Sequence, residues 1–255
     1  MNIIESSYEQ NNPFPLGMGY KSCWMVIEGA TQKAIANAFL QDEGVEYTYK
    51  KGLEEVEKSS TKNKILITNT HNNQNYVIGL KVSEFFYKTE AFLEKCKIFP
   101  RVYVYMTHRV SETHGFALIE NGELIRLFSY DEEEIKNIGE PLPEEIALGY
   151  KLPETYDDVW DDEGNFTDVD EEIVIQLAIC QVGIDAENYP YDDVVIGNMF
   201  NYSTDLDGDL YSDYNDNLDV SEEDINLPKE ERTDDKTYSN GLSKLFQCVK
   251  KFLKA

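Results

Sequence analysis

The chain has 255 residues, 41% of them hydrophobic and 12% aromatic, which is too apolar for a wholly disordered protein and long enough to bury a substantial core. Its 49 acidic residues outweigh 23 basic ones for a formal net charge of −26, a field that repels nucleic acid and anionic membrane and attracts basic partners or metal cations. No run approaches the ~20 apolar residues of a transmembrane helix, and residues 1–17 show no cationic stretch followed by an apolar one, so a cytoplasmic protein is expected.

After a polar lead-in over residues 1–17, Ser22-Cys23-Trp24-Met25-Val26-Ile27 predicts a buried strand. Thr31 is placed to cap a helix carrying Ala34, Ile35, Ala38 and Phe39 on one face. Residues 41–63 are charged, with room for a short helix before Ser59-Ser60. Residues 64–69 and 75–80 predict two strands joined by the turn-prone Thr70-His71-Asn72-Asn73. Ser83 is the expected cap of a further helix, with Phe85, Phe86, Phe92, Leu93 and Cys96 at helical spacing and Pro100 as its stop.

Residues 101–108 are strongly β-prone. Residues 116–119 and 124–128 flank Asn121-Gly122, the commonest signal for a two-residue type I′ hairpin. A short helix or turn follows between Pro141 and Tyr150. Asp168 or Asp170 can cap a helix with Ile173, Val174, Leu177 and Ala178 facing inward and Gly183 as its stop.

The charge is concentrated. Residues 152–228 hold 23 aspartates and glutamates and no lysine, arginine or histidine, while the rest of the chain is nearly balanced at 26 acidic to 23 basic. Beyond Gly197 the composition turns to Asp, Asn, Ser and Tyr, predicting a loosely ordered segment over 198–238. Residues 239–255 carry Leu242, Leu245, Phe246, Val249, Phe252 and Leu253 on one helical stripe, an amphipathic helix expected to dock on the main domain. The fold class is therefore α+β: a mainly antiparallel sheet with packed helices over 18–197, an acidic flexible segment, and a C-terminal amphipathic helix.

Four constellations carry candidate chemistry. Tyr156, Trp160, Tyr189 and Tyr191 are aromatic anchors among the carboxylates Asp157, Asp158, Asp161, Asp162 and Glu163. Such a pattern suits a protein-binding surface, where Tyr and Trp supply contact area and rim charge speeds encounter. Asp205, Asp207, Asp209, Asp213 and Asp216 fall at positions 1, 3, 5, 9 and 12 of a calcium-type loop. Leu210 stands where that loop needs glycine, and Asp216 where it needs a bidentate glutamate. His108, Glu112 and His114 share parity, so an unbroken strand would gather them into a facial metal site for an enzyme. Finally, Cys23, Cys96, Cys180 and Cys248 lie far apart and read as buried thiols, since no nucleophile motif surrounds any of them.

The stretches 21–40 and 102–145, the latter running through "THRVSETHGFALIENGELIRLFSYDEEE" to "GEPLPEE", resemble a loose group of bacterial α+β proteins, some of them similar to polymorphic-toxin immunity proteins. The resemblance covers about half of the chain and brings no catalytic residues. It implies an intracellular bacterial protein, an immunity factor with no known enzyme activity. The leading expectation is thus a non-enzymatic protein whose acidic face neutralises a basic partner such as a toxin nuclease, with no nucleic acid, membrane or cofactor involved. A calcium-binding protein and a metal-dependent enzyme are the alternatives.

Overall fold

The sheet that organises the molecule has nine strands among the described residues, every pair antiparallel, in the spatial order β2 (Val45–Tyr47), β9 (Val194–Asn198), β3 (Lys64–Ile67), β4 (Gln74–Ile78), β1 (Lys21–Glu28), β5 (Arg101–His108), β6 (Thr113–Glu120), β7 (Glu123–Tyr130) and β8 (Ile135–Ile138). A computed structural model describes residues 21–56, 63–108, 111–131, 134–155, 158, 169, 171–183 and 194–200. All of them belong to the first of two compact units, which ends at Phe200.

The centre of the sheet follows from the most apolar strands. β1 (Lys21–Glu28) lies between β4 (Gln74–Ile78) and β5 (Arg101–His108), with Trp24 opposite Ile78 on one side and Tyr105 on the other. β6 (Thr113–Glu120) and β7 (Glu123–Tyr130) form the hairpin expected from Asn121-Gly122, whose φ values of 50° and 79° are those of a type I′ turn. β3 (Lys64–Ile67) pairs with β4 across the Asn72-Asn73 turn, where both residues have positive φ.

Residues paired across neighbouring strands share a face, so the register sorts the side chains. One face carries Trp24, Tyr76, Tyr103, Tyr105, Phe116, Arg126 and Phe128. The other carries Cys23, Met25, Ile27, Val104, Met106, Gly115 and Ala117. Helices cover both, which is why β5 and β6 are buried almost end to end and do not alternate.

On the second face sit α1 (Gln32–Phe39), α3 (Glu84–Tyr87) and α4 (Thr89–Cys96), joined by an aromatic cluster in which Phe39 contacts Phe92 and Phe99, and Phe85 meets Phe86 and Phe92 edge-on. Phe86 comes so near Gly115 that a Cβ there would lie 2.9 Å from its ring. Thr31 caps α1 as expected, accepting from the Ala34 amide at 3.2 Å. Ser83 does not cap the next helix. It ends a 3-10 turn over Leu80–Ser83 in helical conformation, and its hydroxyl donates back to the Leu80 carbonyl at 2.7 Å.

On the first face lie α2 (Tyr49–Val56), α5 (Pro143–Leu148) and α6 (Glu171–Val182). The predicted inward residues of α6, Ile173, Val174, Leu177 and Ala178, are buried, but so are Ile175, Gln176 and Val182. Asp168 and Asp170 lie outside the described residues.

Three strands escaped the sequence reading. β2 (Val45–Tyr47) and β8 (Ile135–Ile138) are short edge strands, and β9 (Val194–Asn198) inserts between β2 and β3. The chain stays in the fold as far as Phe200, whose amide donates to the Phe39 carbonyl at 3.0 Å and whose ring lies under the Lys95 ammonium. Gly139, after β8, has φ +84°, and a Cβ there would stand 2.1 Å from the Ile125 carbonyl oxygen. Gly139→Ala should therefore cost about 1–3 kcal/mol or more, read as a lowered urea midpoint with unchanged slope.

Candidate functional site

The most deeply charged feature is an ion pair. Arg126 on β7 and Glu145 on α5 are each nearly inaccessible to solvent (1% and 3% of side-chain area), and they meet in a two-pronged contact, Nε to Oε1 at 2.9 Å and Nη2 to Oε2 at 3.0 Å. Nη1 donates to the Ile138 and Gly139 carbonyls, both at 3.1 Å, and to Asn137 Oδ1. Glu145 reaches back to the Leu142 amide at 2.9 Å, satisfying the start of α5. The guanidinium lies 5.8 Å from the Phe116 ring centre. One arginine thus ties β7, β8 and α5 together with its charge matched and most of its donors used.

Beside it runs a row of tyrosines. Tyr103 and Tyr105 stack at 6.4 Å, and Trp24 stacks on Tyr105 at 5.2 Å. Tyr105 donates to Gln181 Oε1 at 2.8 Å and Tyr76 to the Gly183 carbonyl at 3.4 Å, so both hydroxyls hold the C-terminal end of α6. Tyr150 donates to Gln176 Oε1 at 2.8 Å. Burial pushes Tyr76 up to about 12 and Tyr105 well above the ordinary tyrosine value. Burial also raises Tyr103, with Glu28 adding to the effect. These groups remain protonated donors at neutral pH, suited to holding a helix and not to acting as bases.

At one end of the central strands a cleft of about 310 Å³ is lined by Glu28, Gly29, Asn73, Pro100, Arg101, Glu120 and Asn121. Arg101 lies between two carboxylates, with Nη2 2.6 Å from Glu120 Oε1 and Nη1 3.6 Å from Glu28 Oε2. The hydrogen bond that Arg101 donates to Glu120 is the main cause that holds its pKa above the usual arginine value. Two carboxylates already neutralise this guanidinium, so the cleft offers an anion no uncompensated charge.

Residues 90–148, from α4 to the end of α5, are similar to a family described as a family of unknown function (DUF6928). The match takes in β5 to β8, the cleft's Arg101 and both members of the buried ion pair. No curated protein and no solved structure matches the chain.

The three residues of the candidate facial metal site do not converge. β5 ends at His108 and the chain reverses through Glu112, whose φ is +46°. His108 then pairs with Thr113 and His114 with Thr107, which puts the two imidazoles on opposite faces of the sheet. This corrects the expectation of one shared face, which required an unbroken strand. His108 Nδ1 is engaged by Ser111, 2.7 Å from its hydroxyl, while His114 is buried and Glu112 is exposed. Among the described residues no group of three or more His, Cys, Asp or Glu side chains is placed to hold a metal ion. The calcium-type residues Asp205, Asp207, Asp209, Asp213 and Asp216 lie outside the described residues, as does the whole stretch 201–255.

Cys23 and Cys96 are buried and Cys180 half-buried, all three as free thiols. Burial pushes Cys23 and Cys96 up to about 12, the former eased slightly by Ser83, so neither is a thiolate at neutral pH. No helix among the described residues is long and apolar enough to cross a membrane.

Of the residues expected from the sequence to bind a partner, Asp158 is exposed and accepts from the Thr155 amide and hydroxyl at 2.9 and 2.8 Å. Tyr156, Asp157, Trp160, Asp161, Asp162, Glu163, Tyr189 and Tyr191 lie outside the described residues. Their sequence neighbours are fixed: Asn137 Nδ2 donates to the Pro153 carbonyl at 3.0 Å, Val169 is buried, and Gly183 and Val194 bracket Tyr189 and Tyr191. Sequence reasoning missed the ion pair. Its one signal was a lone arginine in the otherwise apolar run Leu124-Ile125-Arg126-Leu127-Phe128.

Proposed function

We propose that this protein is a non-enzymatic, intracellular binding protein of the immunity-factor kind, whose acidic residues capture a basic partner such as the nucleic-acid-binding surface of a toxin nuclease. The observation that supports it most is the anchoring of the acid-only window. Residues 152–228 carry 23 carboxylates and no cation, yet α6 and β9, both inside that window, are built into the body of the sheet. Carboxylates that flank such anchored elements in sequence would concentrate a negative field, where a free tail would spread it. Such a field speeds association with a basic surface by roughly 10–1,000-fold and falls steeply with salt. The acidic residues flanking Tyr156, Trp160, Tyr189 and Tyr191 would steer, and the rings would anchor.

The full chain immobilised and exposed to a lysate of its native host should retain a basic protein at low salt and release it near 0.5 M salt, where screening shortens to roughly 4 Å. Changing Asp157, Asp158, Asp161 and Asp162 together to Asn should slow association with that protein about tenfold or more, with a smaller change in dissociation. Retention of no basic protein, or retention indifferent to salt, would remove the reading.

A further inference from the structure

We infer that the outer edge of β8 is the docking line for that partner, which adds a basic extended segment to the sheet as a tenth strand; this rests on the function proposed above. β8 is the last strand in the sheet order, and no described residue pairs with its outer side. The ladder fixes which groups face out. The Asp131 amide donates to the Glu134 carbonyl at 3.1 Å, closing the turn between β7 and β8. Hydrogen-bonded pairs alternate along an antiparallel ladder, so Lys136 and Ile138 bond inward to Ser129 and Leu127. The amides and carbonyls of Ile135 and Asn137 are then directed away from β7. A strand edge with open donors and acceptors is a template for another chain.

Edges are commonly guarded by a lysine reaching into solvent. Here that lysine is drawn back: Lys136 Nζ donates to the Phe86 carbonyl at 3.1 Å and pairs with Glu134 at 3.3 Å. Ile138, on β8 itself, is an exposed large hydrophobic residue, and Ile125 on β7 and Ile146 on α5 are exposed on the elements that Arg126 ties to it. The opposite edge, β2, offers only three residues.

Charge selects the occupant. Asp131, Glu132, Glu133, Glu134 and Glu140 flank β8 in sequence against the single Lys136, and the acid-only window begins beside it, where Asn137 holds the Pro153 carbonyl. A second copy would bring the same negative charge to this edge and be repelled. A strand with lysine or arginine at alternate positions would be drawn in.

The test uses the full chain and a short peptide of alternating lysine and valine, with its glutamate–valine counterpart as control. Amide exchange at Ile135 and Asn137, followed by NMR, should slow at least tenfold with the lysine peptide and stay unchanged with the glutamate one. Ile135→Pro removes one outward donor without touching the β7–β8 ladder. It should weaken peptide binding at least tenfold at an unchanged melting temperature, and Ile138→Ser should weaken it through the exposed side chain alone. Protection elsewhere, or none at millimolar peptide, overturns the inference. So does concentration-dependent protection of β8 without peptide, the mark of a second copy. A basic protein captured in a salt-dependent manner that binds the Ile135→Pro chain as tightly as the wild type would leave the proposed function standing and remove the edge. Peptide protection at β8 without any such capture would keep the edge and remove the function.

Discussion

Glu145→Ala should destabilise the domain by about 3–5 kcal/mol, the cost of leaving a buried charge without its partner. Arg126 keeps hydrogen bonds to the Ile138 and Gly139 carbonyls and to Asn137 in such a variant, but none of them neutralises it. The start of α5 also loses the carboxylate that receives the Leu142 amide, adding a capping loss of about 1 kcal/mol. Urea denaturation should show a lower midpoint at an unchanged slope, and the melting temperature should fall by about 10 °C or more for a domain of this size. Glu145→Gln, which keeps an acceptor for the Leu142 amide, should recover the capping part alone. Replacing both partners with Met and Leu should be milder than either single change, since it removes the stranded charge altogether. A Glu145→Ala chain as stable as the wild type would mean the pair is not closed in solution.

The pair also shows what could be read from the residues and what could not. β1 with its Thr31-capped helix, and the Asn121-Gly122 hairpin, were legible because each is specified locally: an apolar run, a hydroxyl at the cap, two residues that accept positive φ. β2 and β9 were not, because Val45-Glu46-Tyr47 and Val194-Val195-Ile196 are too short to stand out from the charged stretches around them, and β8 was not, because it is a strand by pairing and not by pattern. Ile135-Lys136-Asn137-Ile138 spaces its two isoleucines three apart, against the period of two that marks a strand. Gly197 looked like the end of the domain, yet it is the point where β9 passes so close to Asp42 and Leu40 that a Cβ would lie 2.3 Å from the Asp42 carboxylate. Ser83 had the right chemistry for a cap, but a 3-10 turn had already begun ahead of it. The His108–Glu112–His114 pattern failed for a related reason. Parity along a sequence holds only while the strand continues, and Glu112 turns it back. For the candidate site, the charge and the aromatics of the acidic window were visible in composition, whereas the open edge of β8 exists only once nine strands have been put in order.

Raising the pH should unfold this domain earlier than an ordinary one. Cys23 and Cys96 are pushed by burial from an ordinary 9.0 to about 12, and Tyr76 from 10.0 to about 12, while Tyr105 is raised well beyond its usual value. Each is an acid whose neutral form the fold protects. Its contribution is therefore complete below the unfolded pKa and is lost as pH climbs toward the folded one, because between the two values the native state holds the proton and the unfolded chain does not. At about 1.4 kcal/mol for each unit of separation, the two thiols together weaken the fold by up to about 8 kcal/mol between pH 9 and 12, comparable to the whole stability of a typical domain. Melting temperature should hold steady up to about pH 8.5 and then drop steeply, with the transition complete at room temperature before pH 12. The Cys23→Ala, Cys96→Ala double variant isolates the cause. It starts lower at pH 7 because of the space left in the core, yet it should decline less steeply above pH 9, the remaining slope belonging to the buried tyrosines. Parallel curves for the two chains would show that the thiols ionise without unfolding the core. Since Cys23 lies in the central strand and Cys96 ends α4 beneath the aromatic cluster, that outcome would also mean the second face of the sheet is wetter than its packing implies.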